Sequence, residues 1–545
     1  MTWIQGMLPT IPPRALIFFS VAAGGLIALA LPPYAIPGFV FVALVPFLLL
    51  LYLAVPSESR RFLYGWLAGF AALGPTFRWA LDAPPLTWLG ITSVSVSYLL
   101  AVVALGLLAA FLALSYGAFL VLARKLLVGN LWDALTLGFL WAAVEYFRTF
   151  AYSFYPLTFG TGSLVGDHLG FGLLGYGLAD FDAVRQLSTL IGIYGLGFIV
   201  VAVNVLVLFV LKTMAHYGKG SIPYGVFARR LLRIGAVTAL VTLFIVGGGG
   251  WLKSQFLSYS KSIKVAVVQG NSQNAKGELI YELIPSVAQQ SPDIIVVPEG
   301  ENLFSSPRPT AREVKQLFRD ERYHLVLGSI YENKENRIAV YDTATGYLSA
   351  YAKRFIMPHA EYVPYATAYI VKSLGGAEWL KTRPRTIPGT QPAVHKTGWG
   401  TITTLVCMEV LSPQLVRDAA RAGGEILFYS SNVSVIRGSP AYHKEIRAMA
   451  TIWATATRRF LAYSSQDEPS FLIDPHGELL WESPDMEPRI QVVAASLNRA
   501  QTPYVRYPYG FLMIGGVYLV SASALRKRKA GAQPNVLSRE NVPGV

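Results

Sequence analysis

The chain has 545 residues, of which 53% are hydrophobic and only 14% charged. A soluble protein carries roughly 25% charged residues, so this chain cannot cover itself with a water-facing surface. Such apolar content excludes disorder, and the single cysteine, Cys407, excludes a disulfide scaffold or a C-x-x-C zinc site. The net charge of +14 does not mark a nucleic-acid groove, because the basic residues lie in short loops and tails beside long apolar runs. A polytopic membrane protein with a soluble part remains.

A bilayer core needs roughly 20 apolar residues per helix. Residues 12–55 hold one charge, Arg14, and are broken at Pro32 and Pro33, so they read as two spans. Further spans are expected at 63–81, 91–123, 132–150, 190–211 and 231–251, and a closing one at 509–525, eight in all. The first apolar run is promptly followed by a second of spanning length, which is not the pattern of a cleavable signal peptide. Arg60, Arg61, Arg124, Lys125, Arg229, Arg230 and the run Arg526 to Lys529 place the N-terminus, alternate loops and the tail in the cytoplasm. This predicts a transmembrane region over 1–252, an exported domain over 253–507, a closing helix over 508–525 and a cytoplasmic basic tail over 526–545.

The exported segment alternates short β-rich runs (263–269, 293–298, 324–330, 337–341, 401–406, 425–429, 460–464) with helix-like stretches at 278–290, 310–322, 413–422 and 442–457. Alternation of this kind predicts a layered α/β domain of about 250 residues, in which reactive groups gather where strands end. Three strand ends carry chemistry. Asp293 to Pro298 is an apolar run ending in Glu299, 347–352 alternates and ends in Lys353, and 401–406 ends in the sole thiol, Cys407. Taken singly, each has a structural alternative: the thiol as a small buried hydrophobe, the Glu and Lys as solvated or capping residues. A thiol, a base and a cation on three separate strand ends form a set.

That set resembles the Glu-Lys-Cys nitrilase superfamily. Val297-Pro298-Glu299, Lys353-Arg354-x-x-x-Pro358-x-x-Glu361-Tyr362-Val363-Pro364 and Cys407-Met408-Glu409 occur in its order, and the middle block is similar to that of the apolipoprotein N-acyltransferase family. Val265 to Asn271, Glu145-Tyr146-Phe147-Arg148 and the block 186–197 resemble the same family's first strand and transmembrane blocks. The resemblance implies an αββα sandwich carried by the membrane helices, on the periplasmic or extracellular side of a bacterial cytoplasmic membrane. It also implies the last step of lipoprotein maturation. Cys407 would take an acyl chain from a phospholipid as a thioester, with Glu299 as general base and Lys353 and the Met408 backbone N–H stabilising the oxyanion. The amine of an S-diacylglyceryl cysteine on an apolipoprotein would then receive the chain.

Glu361 and Glu409 are further catalytic candidates, as the fixer of the Lys353 charge and as a partner near the nucleophile. Tyr362, Tyr365, Tyr369 and Trp379 form an aromatic stretch of the kind found at the lipid–water boundary, read as a lid or as a packed surface loop. No cofactor or metal is expected: there is no P-loop, and the seven histidines are scattered. The chain departs from the family's pattern at 432–438, at Trp453 to Ala456, at Gln466 to Pro469 and in a Gly-rich stretch at 160–185, changes that bear on acyl-chain and acceptor specificity. Three other readings remain open: a membrane-tethered amidase with water as acceptor, a transporter or receptor with an exported ligand domain, and a family member altered in catalysis.

Overall fold

The computed structural model describes residues 12–53, 55, 57–154, 165–272, 283, 290–301, 303, 310–318 and 325–531. Most of the predicted helix at 278–290, part of that at 310–322 and the start of the 160–185 stretch lie outside the described residues.

The N-terminal half is helical: α1 Pro13–Ala30, α2 Val45–Leu49, α3 Glu58–Thr76, α4 Val94–Leu126, α5 Trp132–Thr149, α6 Ala151–Phe154, α7 Asp182–Gln186, α8 Ser188–Gly218 and α9 Tyr224–Lys253. Local signals set several ends. Ser57 and Ser93 accept from the backbone N–H of Arg60 and Val96 and so cap α3 and α4, while Arg124 and Lys125 sit in the last turn of α4, where the helix dipole favours cations. Packing between α3 and α4 depends on small residues: a Cβ at Gly65 would lie 2.7 Å from the Tyr116 carbonyl oxygen.

Among the described residues, four helices are long and apolar enough to cross a membrane, α1, α4, α8 and α9, with shorter apolar helices at Phe39–Leu49 and Gly510–Arg526; the remaining expected spans are shorter or carry more charge. The difference has a physical source. The predicted second span is broken into a 3-10 turn at Phe39–Phe41 and the short α2. The fifth, α5, carries Asp133, Glu145 and Arg148, which anchor loops: Asp133 accepts from the N–H groups of Val128 and Gly129, Glu145 accepts from Leu174 N–H at 2.8 Å, and Arg148 donates to the Gly172 carbonyl at 2.9 Å. Charges that serve a loop at a helix end lower the mean hydropathy of a helix that is nonetheless well buried.

From Tyr259 the chain turns to strands: β1 Tyr259–Gln269, β2 Ile294–Val296, β3 Leu325–Glu332, β4 Glu335–Asp342, β5 Gly346–Ala352, β6 Val394–Thr397, β7 Gly400–Val406, β8 Ile426–Asn432, β9 Leu461–Gln466, β10 Phe471–Ile473, β11 Leu479–Glu482 and β12 Arg489–Asn498. They form two six-stranded sheets, ordered β12-β1-β2-β3-β4-β5 and β11-β10-β9-β8-β7-β6. The β1-β2-β3 and β7-β8-β9 ladders are parallel and their flanks antiparallel, so both sheets are mixed. Period-two alternation divides β1: Val265 and Val267 join the core shared with the second sheet, whose Ser430 and Ser464 hydroxyls reach across to the Val297 and Val268 carbonyls, while Ala266 and Val268 join Val314 of helix α10 (Ala311–Phe318) on the outer face. Later come α11 Tyr365–Ser373, α12 Ala377–Lys381, α13 Pro413–Arg421, α14 Pro440–Thr457, α15 Pro503–Arg506 and α16 Gly510–Gly531. Helices α13 and α14 pack on the second sheet, and α14 also contacts α7, α8 and the 3-10 turn Arg78–Asp82 after α3, which brings this sheet up against the helical region.

Candidate active site

Glu299 follows β2, Lys353 follows β5 and Cys407 follows β7, and all three line one cavity of about 540 Å³. Cys407 opens a 3-10 turn, Cys407–Leu411, with φ of 48°, a left-handed conformation that a non-glycine residue adopts at a cost. That bend turns the thiol off the strand and into the cavity, where Sγ lies 3.9 Å from the Asn432 carbonyl oxygen. Gly300, at φ 91°, makes the matching bend after Glu299, and a Cβ there would lie 2.9 Å from Asn432 Nδ2.

Lys353 is the hub. Its Nζ sits 3.3 Å from Glu299 Oε1 and 2.9 Å from Glu361 Oε2, and its side chain is buried. Burial alone would lower its pKa, but the charges of Glu299, Glu361 and Cys407 outweigh it and hold the ammonium well above the usual lysine range. Burial raises the Glu299 carboxyl, Lys353 opposes and Glu361 reinforces. The Cys407 thiol is pushed up to about 12, by burial first and then by Glu299 against Lys353. The resting site therefore holds a neutral thiol beside a fixed cation, and ionisation of the sulfur requires a base at the moment of attack.

Asn336 was not among the sequence candidates. It is the second residue of β4, after the turn at Asn333 and Lys334, and its Nδ2 donates to Glu299 Oε1 at 2.5 Å and to Glu361 Oε1 at 2.9 Å, while its carbonyl accepts from Lys353 N–H. One amide thus spaces two carboxylates around one ammonium. Asn336→Leu is expected to leave those carboxylates to repel each other and to slow Cys407 acylation by about 10-fold or more, whereas Asn336→Gln should retain part of the rate. Single-turnover acylation rates of the two variants, measured side by side, check this.

Glu409 is placed differently. Its carboxylate turns away from the thiol: Oε1 accepts from Tyr351 OH and from the N–H groups of Arg354 and Phe355, and Oε2 from Val406 N–H. It joins the chain after Lys353 to the strand that delivers Cys407, and burial raises its pKa. Met408 sends its side chain into a second, apolar cavity of about 400 Å³, walled by Trp79, Leu86, Leu100, Ala104, Leu108 and Phe111 of the helical region. Met357 and Val435 line both cavities, so the apolar and the charged cavity adjoin.

Of the aromatic stretch, Tyr365 and Tyr369 are exposed on α11 with Ile370 and Leu374, but Tyr362 is buried. Trp379 donates its indole N–H to the Leu89 carbonyl at 2.9 Å, with Arg383 stacked on its ring and bonded to the Trp88 carbonyl. These two contacts pin the α11–α12 hairpin to residues that line the apolar groove.

Residues 264–503 match the carbon-nitrogen hydrolase family, and residues 23–206 match the apolipoprotein N-acyltransferase N-terminal domain. Apolipoprotein N-acyltransferases align over nearly the full length: that of Geobacter metallireducens is 26% identical over 95% of this chain and 96% of its own, and that of Azotobacter vinelandii 24% identical over 94% and 96%. Among solved structures, a Saccharomyces cerevisiae member of branch 10 of the nitrilase superfamily is 18% identical, covers 53% of this chain and 99% of its own, and superposes with a TM-score of 0.33. Two mixed sheets bearing a thiol, a lysine and a carboxylate at their strand ends, carried on apolar helices, define a membrane-attached enzyme of the nitrilase type. With both of its regions matched and full-length relatives of one kind, the chain belongs to the apolipoprotein N-acyltransferase family, a family of acyltransferases.

Proposed function

We propose that the protein moves an acyl chain from a phospholipid to the amino group of an S-diacylglyceryl cysteine at the N-terminus of an apolipoprotein, through a thioester on Cys407. Glu299 takes the thiol proton as sulfur attacks the ester carbonyl. Lys353 balances the negative charge of the tetrahedral intermediate, with the Met408 N–H as the proposed second donor. Collapse expels the lysophospholipid alkoxide, which leaves with the proton held by Glu299. The amine of the acceptor then attacks the thioester, Glu299 accepts its proton, and the thiol is restored as the amide forms. Glu361 holds the Lys353 charge in place, and neither metal nor nucleotide enters any step.

The observation that carries this reading is the apolar cavity adjoining the charged one, with Met357 and Val435 shared between their walls. An acyl chain suits an apolar cavity lined by Met408, one residue from the nucleophile; a small amide does not need one. The exposed aromatic and aliphatic face of α11 supports a lid resting in the bilayer surface, on the exported side of a bacterial cytoplasmic membrane.

The purified protein incubated with phosphatidylethanolamine should carry an acyl adduct on Cys407 by intact mass, stable without acceptor and discharged by a diacylglyceryl-cysteine peptide. Rapid loss of the adduct to water, unaffected by the peptide, would favour the amidase reading instead. A topology test accompanies it: a reporter fused after Lys253 should register export, and one at Lys529 the cytoplasm. Both on one side would remove the closing span.

A further inference from the structure

After α5 the chain passes between the membrane helices and the turn that carries the nucleophile. The N–H of Gly170 donates at 2.9 Å to the carbonyl of Leu411, the last residue of the Cys407–Leu411 turn. His168 Nδ1 lies 2.8 Å from the hydroxyl of Ser412, the next residue, and that same hydroxyl accepts from Leu415 N–H to cap α13. Asp167 accepts from Gln414 N–H through its carbonyl, and its carboxylate faces the Arg417 guanidinium at 3.3 Å. On the other side, the N–H groups of His168 and Leu169 both point to the Thr149 carbonyl at the end of α5, and Tyr194 of α8 donates to Asp167 Oδ2 at 3.1 Å. Asp167, His168, Ser412 and Arg417 are all buried.

Adhesion alone does not require this arrangement. A buried ion pair carries a desolvation penalty that an apolar contact avoids, whereas directional bonds fix angle and height. Contact is also as close as backbone allows: a Cβ at Gly170 would come 2.6 Å from the Leu411 carbonyl oxygen. We infer that residues 166–170 form a positioning strap, which sets the Cys407–Leu411 turn against the membrane helices, with His168 acting on the nucleophile through Ser412. Burial holds the His168 ring neutral down to about 3, so the bond to Ser412 keeps one form throughout the working pH range.

This inference deepens the thioester reading and rests on it. The test uses the full-length protein in detergent, with His168→Ala, His168→Asn and His168→Gln. An asparagine amide reaches the Nδ1 position and can bond Ser412; a glutamine amide falls at Nε2 and cannot. Cys407 is the sole thiol, so its alkylation by iodoacetamide reads its placement without any lipid, and single-turnover acylation from phosphatidylethanolamine micelles reads it with one. His168→Ala and His168→Gln should slow both rates about 10- to 100-fold per folded molecule, while His168→Asn stays within about threefold of the unaltered protein. Unchanged rates in His168→Ala, or Asn and Gln variants equally slow, would overturn the strap. If His168→Ala does not fold, Gly170→Ala decides, because it deletes no polar side chain and forces Gly170 and Leu411 apart at the hydrogen bond that joins them; unchanged rates there would overturn the strap as well. If the unaltered protein is alkylated but never acylated from lipid, the thioester reading falls, and the alkylation series still judges the strap.

Discussion

Replacing Cys407 with serine is expected to abolish the acyl adduct altogether, while Glu299→Gln and Lys353→Met leave folded proteins slowed by about two to four orders of magnitude each. The reasoning starts from the raised thiol pKa. A serine hydroxyl is a far weaker acid than even a buried thiol, so the same base cannot ionise it. Glu299→Gln removes the proton acceptor, and Lys353→Met removes the only cation within 4 Å of the Glu299 and Glu361 carboxylates among the described residues. The losses of the two partners should not add, because Glu299 and Lys353 act on one proton and one charge; the double variant is expected to be little slower than the slower single. Quantifying the Cys407 thioester against time in all four proteins checks this, and near-normal acyl transfer by Cys407→Ser would sink the covalent route.

The second large effect is expected at Glu409, and it is a loss of structure before a loss of chemistry. Its two oxygens accept four hydrogen bonds, three of them from the backbone N–H groups of Arg354, Phe355 and Val406. Glu409→Gln replaces one acceptor with an N–H pair that faces donors, so the substitution leaves buried N–H groups unpaired and should cost about 3 kcal/mol. Thermal unfolding should shift down by several degrees, and the remaining folded protein should acylate slowly because the chain after Lys353 and the Cys407 strand are no longer tied. Glu409→Asp keeps the charge but shortens the reach, and should fall between. An unchanged melting temperature with a lost rate would make Glu409 a participant in the reaction and not a brace.

The strand ends were readable because a sheet strand declares itself by its apolar run and the next polar residue marks where it stops. β5 ends at Ala352 and β7 at Val406, so Lys353 and Cys407 each stand one residue beyond, and both line the cavity with Glu299. Asn336 was not readable, since nothing local separates an asparagine that spaces two carboxylates from one that only follows a turn. Glu409 illustrates the opposite problem: a carboxylate two residues from a nucleophile invites a chemical role, yet the 3-10 turn swings it backward onto backbone. Aromatic composition could not tell Tyr362, which is buried, from Tyr369, which is exposed, because both sit in the same apolar context. β12 escaped notice for a similar reason. Its Ala494, Ala495 and Ser496 have little strand preference of their own, and the long antiparallel pairing with β1 supplies it. α5 falls short of a spanning helix's hydropathy because its charged side chains do loop work, which a hydropathy average cannot distinguish from exposure to water.

The groove beside Met408 has a wall made by one face of α4, at Leu100, Ala104, Leu108 and Phe111, and α4 is long and apolar enough to cross a membrane. On the proposed phospholipid reading, a slot with such a wall would fill sideways from the bilayer, and the quantity that saturates the enzyme would be the share of substrate among surrounding lipids and not its molarity. Adding inert detergent at a fixed bulk amount of donor should therefore slow turnover by dilution within the surface, and the Michaelis constant for this protein takes the form of a mole fraction.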